Sequence, residues 1–91
     1  MLELIRRARL PEPETNVRIG GYEVDLLWRE QRLVAEVDSW AFHSMRSSFE
    51  QDRRRDQVLV GKGWRAIRIT GRQLVREPEL VVATLATALA A

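Results

Sequence analysis

Two apolar runs in this sequence carry acids where a core strand would carry none. They are "YEVDLLW" at 22–28 and "VAEVDSWAFH" at 34–43, and the second ends on His43, the single histidine of the chain. Asp25, Glu36 and Asp38 therefore sit inside runs that otherwise read as buried strand. A carboxylate taken out of water is costly unless a cation or a donor meets it. Hard divalent cations such as Mg²⁺ meet that need: they take carboxylate oxygens, keep several waters and bind phosphate through the positions that remain. His43, just beyond the acids, is of a residue type that can take a proton from an attacking water near neutral pH. A third stretch, "FEQDRRRDQVLV" at 49–60, adds Asp52 and Asp56 beside Arg53, Arg54 and Arg55. Any one of these acids, taken alone, reads as part of a solvated sheet face paired with one of those arginines. The set together reads as a site.

The elements that would position these groups follow from periodicity and punctuation. A hairpin turning about Glu30–Gln31 sets Trp28 opposite Leu33, Leu26 opposite Ala35 and Val24 opposite Val37, an apolar face. The other face then sets Leu27 opposite Val34, Asp25 opposite Glu36 and Glu23 opposite Asp38. Like charges directly opposed on a sheet are destabilising. At about 4 Å they repel by about 1 kcal/mol in bulk water and about 4 kcal/mol at a protein-surface dielectric. Something positive is expected there. Residues 47–60 read as a helix that opens on serine and ends at Gly61 and Gly63, with Phe49, Asp52, Asp56 and Leu59 along one stripe. Asp52 and Asp56 would then lie on the face that packs.

Around this centre, residues 2–9 predict a helix stopped by Pro11 and Pro13. Residues 17–19 predict a short strand that turns at Gly20–Gly21 into the run at 22–28. "WRAIRI" (64–69) predicts another strand, residues 72–76 a short helical turn after a break at Thr70–Gly71, and Pro78 the start of a final apolar helix. The order is α-β-β-β-α-β-α, an α/β sandwich around a mixed sheet of about four strands.

A chain of 91 residues with 45% hydrophobic content supports one small domain, residues 1–91. Its net charge of +2 is too small to name a partner, although every basic residue except Lys62 is an arginine, the residue suited to bidentate phosphate contact. The lack of cysteine excludes disulfides and thiolate zinc sites. No apolar run approaches a membrane span, so no membrane partner is expected, and a cytoplasmic location is the default expectation.

The combination of "YEVDLLW", "VAEVDSWAFH" and "FEQDRRRDQVLVGKGWRAIRIT" resembles the bacterial proteins related to the very-short-patch-repair endonucleases, within the PD-(D/E)XK nuclease superfamily. The likeness spans about residues 10–75. It implies a restriction-endonuclease-like α-βββ-α-β core and Mg²⁺-dependent hydrolysis of DNA phosphodiester bonds, with Mn²⁺ as a substitute. By position it implies Asp25 and Glu36 as metal-binding acids, the Val37 carbonyl as a further ligand, and His43 as the group that handles the water. Asp38 stands where many members have lysine, and Asp52 and Arg55 match a helix motif in a supporting role. Arg46, Arg53 and Arg54 would contact the DNA backbone. Ser39 replaces a usual glycine, and Glu3 is the nearest counterpart of a glutamate that relatives carry on a longer N-terminal helix. This departure leaves room for an additional domain upstream, the chain then being the C-terminal part of a longer protein. The apolar end "VVATLATALA" leaves a homodimer open.

The expectation is thus a metal-dependent endonuclease domain. Its rival is a non-cleaving nucleic-acid-binding or regulatory module that keeps the fold.

Overall fold

The computed structural model describes residues 1–38 and 46–91, the side chains of 46–49 excepted. α1 (Leu2–Arg7) leads through the two prolines into β1 (Glu14–Ile19). Gly20 and Gly21 then reverse the chain with φ of 58° and 84°, the left-handed pair that a two-residue hairpin turn demands. A side chain at Gly20 would also put its Cβ 2.8 Å from Lys62 Cε. β2 (Tyr22–Trp28) returns antiparallel to β1, with Ile19 opposite Tyr22 and Val17 opposite Val24. A second turn, in which Arg32 takes a φ of 54°, delivers β3 (Leu33–Asp38) antiparallel to β2. The crossover helix α2 (Arg46–Gly61) brings β4 (Arg65–Thr70) back parallel to β3, because a parallel neighbour needs a connection long enough to return to the same end of the sheet. The sheet has four strands in the order β1-β2-β3-β4. Thr70, expected as a break, is the cap of α3 (Gly71–Arg76): its hydroxyl accepts from the Gln73 N–H while the Gln73 side chain accepts from the Thr70 N–H. α4 (Pro78–Ala90) opens on proline, whose missing N–H costs nothing in a first turn.

Helices cover both faces. On one, Leu26, Trp28, Leu33, Ala35 and Ile69 pack with Ile5 of α1 and with Val81 and Leu85 of α4. On the other, Val24, Leu27 and Val34 pack with Leu59 of α2. Full burial of each large aliphatic side chain contributes about 1.5–3 kcal/mol. Two polar devices fasten the ends of chain segments onto this core. The Trp28 indole N–H donates to the Pro11 carbonyl at 2.7 Å, holding the proline segment against the sheet. Arg65 donates from its backbone N–H to Arg32 O at 2.9 Å, and from its guanidinium to Gln31 O and Ala88 O, both at 2.7 Å.

The hairpin register is the expected one, with Leu26 opposite Ala35, Leu27 opposite Val34 and Trp28 opposite Leu33. Two expectations need correction. β1 begins at Glu14, not near residue 17, since polar Glu14 and Thr15 still pair with Leu27 and Leu26. Val24 belongs to the α2-side cluster with Leu27 and Val34, not to the face of Leu26 and Trp28. Asn16, with its φ of 53°, breaks the extended backbone of β1 between the Thr15–Leu26 and Val17–Val24 pairs.

Candidate active site

Among the described residues, the β2–β3 pairing runs only over the three pairs nearest the turn. Beyond Ala35 the β3 backbone still carries an N–H at Val37 that needs an acceptor. Asp25 supplies it: its Oδ2 lies 2.8 Å from Val37 N. The splayed end of the hairpin therefore ties the half-buried Asp25 to the segment of β3 that carries Glu36, Val37 and Asp38.

Glu36 points to the α2 side of the sheet and is 2% exposed. The parallel register sets Arg68 of β4 beside it, with Asp38 beside Thr70. From α2, the stripe of Asp52, Arg55 and Asp56 faces the same point. Arg55 Nε stands 2.8 Å from Glu36 Oε1. That contact is one of charge only, because the N–H is not aimed at the oxygen and neither atom makes a hydrogen bond. Arg55 also reaches the Glu23 carbonyl at 3.4 Å and Asp52 Oδ1 at 3.7 Å. Burial pushes the Glu36 carboxyl up to about 7, against the pull of Arg55 and Arg68 and with a smaller push from the neighbouring Asp56.

Arg68 is the hub of the cluster. Its Nη1 lies 2.9 Å from Asp38 Oδ1 and 3.3 Å from Asp52 Oδ2. Its Nη2 lies 3.3 Å from Glu36 Oε2 and 3.0 Å from Asp56 Oδ1. Burial works against the charge of this guanidinium, but Asp56, Asp38 and Glu36 outweigh it and raise its pKa.

The structure thus brings Glu36, Asp38, Asp52 and Arg55 together, and ties Asp25 to Val37 next to them. Glu23, expected opposite Asp38, is exposed instead and pairs across the sheet with Arg18. Glu3 is exposed and paired with Arg7 at 3.1 Å. Arg54 lines an open cleft of about 450 Å³ with Tyr22, Gln51, Asp52 and Arg55. Arg53 is exposed on the same helix. Arg46 is the first residue of α2, but its side chain lies outside the described residues, as do Ser39 and His43. Arg68 escaped the sequence reading. The signal was a basic residue between Ile67 and Ile69, in a strand whose alternate positions had to be covered.

Among the described residues, no group of three or more acids or histidines is arranged to hold a metal ion. One or two carboxylates are nevertheless what Mg²⁺ takes from a protein when water and phosphate supply the rest. Glu36, with a buried oxygen that makes no hydrogen bond, and Asp25, with one oxygen occupied by Val37, fit that modest requirement.

No helix among the described residues is long and apolar enough to cross a membrane. No curated protein matches the sequence. Among solved structures, the chain is similar to the "Homing Endonuclease I-Bth0305I Catalytic Domain", with a TM-score of 0.76 at 20% identity over 94% of this chain and 85% of that one. At this identity the likeness is one of fold, and it matches the mixed four-stranded sheet flanked by helices. The family model REase_MTES_1575 matches residues 2–89, and the chain belongs to this restriction-endonuclease-like family.

Proposed function

We propose that this domain is a metal-dependent endonuclease that hydrolyses DNA phosphodiester bonds. The observation that carries the reading is Glu36: a carboxylate 2% exposed, with one oxygen making no hydrogen bond, at the splayed strand end where Asp25 is anchored. A restriction-endonuclease-like family and an endonuclease catalytic domain of the same fold support it. Glu36 and Asp25, with the Val37 carbonyl, would hold Mg²⁺ or Mn²⁺. The ion would supply charge neutralisation at the phosphate and acidify a water. His43 or Asp38 would take the proton from that water; Asp38 faces Arg68 at 2.9 Å. Asp52 and Arg55 hold the helix side of the site. Arg54 at the cleft, with Arg53 and Arg46, would contact DNA phosphates, which positions the duplex without reading its sequence. Kinship with the very-short-patch-repair enzymes, and with it a role in DNA repair, belongs to this proposal.

Nicking of supercoiled plasmid by the pure protein tests it. Cleavage is expected with Mg²⁺ or Mn²⁺, and is expected to vanish with chelator and in Asp25→Ala. Full activity in Asp25→Ala would remove the assignment.

One observation favours the rival, a module that binds nucleic acid without cutting it: both oxygens of Glu36 face arginines, Arg55 and Arg68. Such a module should bind DNA with an affinity that falls steeply with salt and ignores Mg²⁺.

A further inference from the structure

Arg68 contacts carboxylates of two different elements with one guanidinium. Glu36 and Asp38 come from β3, at 3.3 and 2.9 Å. Asp52 and Asp56 come from α2, at 3.3 and 3.0 Å. We propose that Arg68 is a resident counter-cation that a divalent metal ion must displace to reach Glu36. The inference rests on the metal-dependent reading above and concerns how the ion gains its site.

Access is the first argument. Glu36 is 2% exposed, and each of its oxygens is already fronted by a guanidinium nitrogen, so a further cation enters by taking the place of one of them. Charge decides which. Arg55 touches two of these carboxylates, Glu36 and Asp52, and is also held by the Glu23 carbonyl. Arg68 touches all four. Four carboxylates face two guanidiniums, so the cluster keeps negative charge with both arginines in place. A divalent ion in the place of Arg68 leaves less charge uncompensated than Arg68 itself, whereas loss of Arg68 without replacement leaves the acids repelling one another. The way out is open, since the Arg68 side chain keeps 26% of its surface exposed and its charge can swing into water. In the metal-free protein Arg68 is therefore a positioning residue: it gathers the acids of β3 and α2 at the spot where the ion arrives.

Direct titration of metal-stripped protein with Mn²⁺, by calorimetry or by the loss of the free-ion spin signal, tests this without an activity readout. Arg68→Gln removes the competitor and should bind Mn²⁺ on the order of ten-fold more tightly than wild type, as expected when a unit charge in contact with the ligands is removed. A merely structural arginine would move the affinity the other way or not at all. Arg68→Lys keeps the charge but loses the fork that spans Asp38 and Asp56. It should bind with intermediate affinity, and it decides the matter if circular dichroism shows Arg68→Gln unfolded. Binding in wild type with no tightening in either folded variant overturns the role of Arg68 and leaves the metal reading standing. No Mn²⁺ binding in any of the three overturns both.

Discussion

Glu36→Gln should flatten the pH dependence of stability between about 4.5 and about 7, and the size of the change can be worked from the site. In the unfolded chain this carboxyl titrates near its ordinary 4.5, whereas burial in the native protein moves it to about 7. Between those values the folded state holds a proton that the unfolded state has lost. Stability therefore falls as pH rises through this window, and above it the cost is constant. At about 1.4 kcal/mol per pH unit, the interval amounts to about 3 kcal/mol. A glutamine has the same shape and no charge to desolvate. The attraction of Arg55 and Arg68 for the ionised carboxylate is lost in the variant too, but it is already part of the native value of about 7, so the difference between the two proteins carries the net effect. Glu12 and Glu14, whose pKa values are lowered by hydrogen bonds from Arg6 and Arg29, titrate alike in both proteins and cancel in the difference. The assay is denaturant unfolding of both proteins in chelator at several pH values from 4 to 8. The stability of the variant relative to wild type should rise by about 3 kcal/mol across the series. In a domain of this size, each kcal/mol is worth roughly 4–8 °C in Tm. Parallel curves would refute the reasoning, since they would mean that Glu36 ionises in the native state as readily as in the unfolded chain.

Two further outcomes are expected. Leu85→Ala empties a fully buried position beneath α4 and should cost about 2–5 kcal/mol in denaturant unfolding, with the fold kept; a loss under 1 kcal/mol would mean that α4 is not packed on Ile5 and Leu33. On the proposed function, Arg54→Ala would remove one phosphate contact at the cleft, so it should weaken DNA binding equally for all sequences and reduce the slope of log affinity against log salt by about 0.9.

Much of this architecture can be read from residue order alone. The tip of the β2–β3 hairpin is fixed by alternation on both sides of a polar "REQR" turn, because a slip of one residue would turn every apolar side chain outward. The Phe49-to-Leu59 stripe likewise announces that Asp52 and Asp56 face the sheet. Alternation fails where the backbone departs from regular strand. Val24 changes face across from the left-handed Asn16 of the neighbouring strand, and a left-handed asparagine leaves no mark in a hydropathy pattern. Arg68 was hidden for a different reason. Its partnership with Glu36 is set by the register of two parallel strands joined through α2, and nothing local to either strand encodes that register. The acids were legible and their cation was not, since an arginine three residues into a strand looks like any solvated one until its neighbour strand is known.

The Arg65 clasp gives the sheet two unlike ends. At one end, directional bonds from a single residue join the hairpin tip at Gln31 and Arg32 to the last turn of α4 at Ala88. At the other, six residues of β4, β3 and α2 meet in charged pairs, some of them hydrogen-bonded through Arg68, and the close contact of Arg55 with Glu36 makes no hydrogen bond. The Arg55–Glu36 contact lacks the directional bonds that lock the Arg65 end, and a pair held by charge alone tolerates exchange of partners. The molecule is in this sense a clothes peg: sprung shut at Arg65, with jaws at Glu36 held by charged pairs whose partners the proposed ion would exchange.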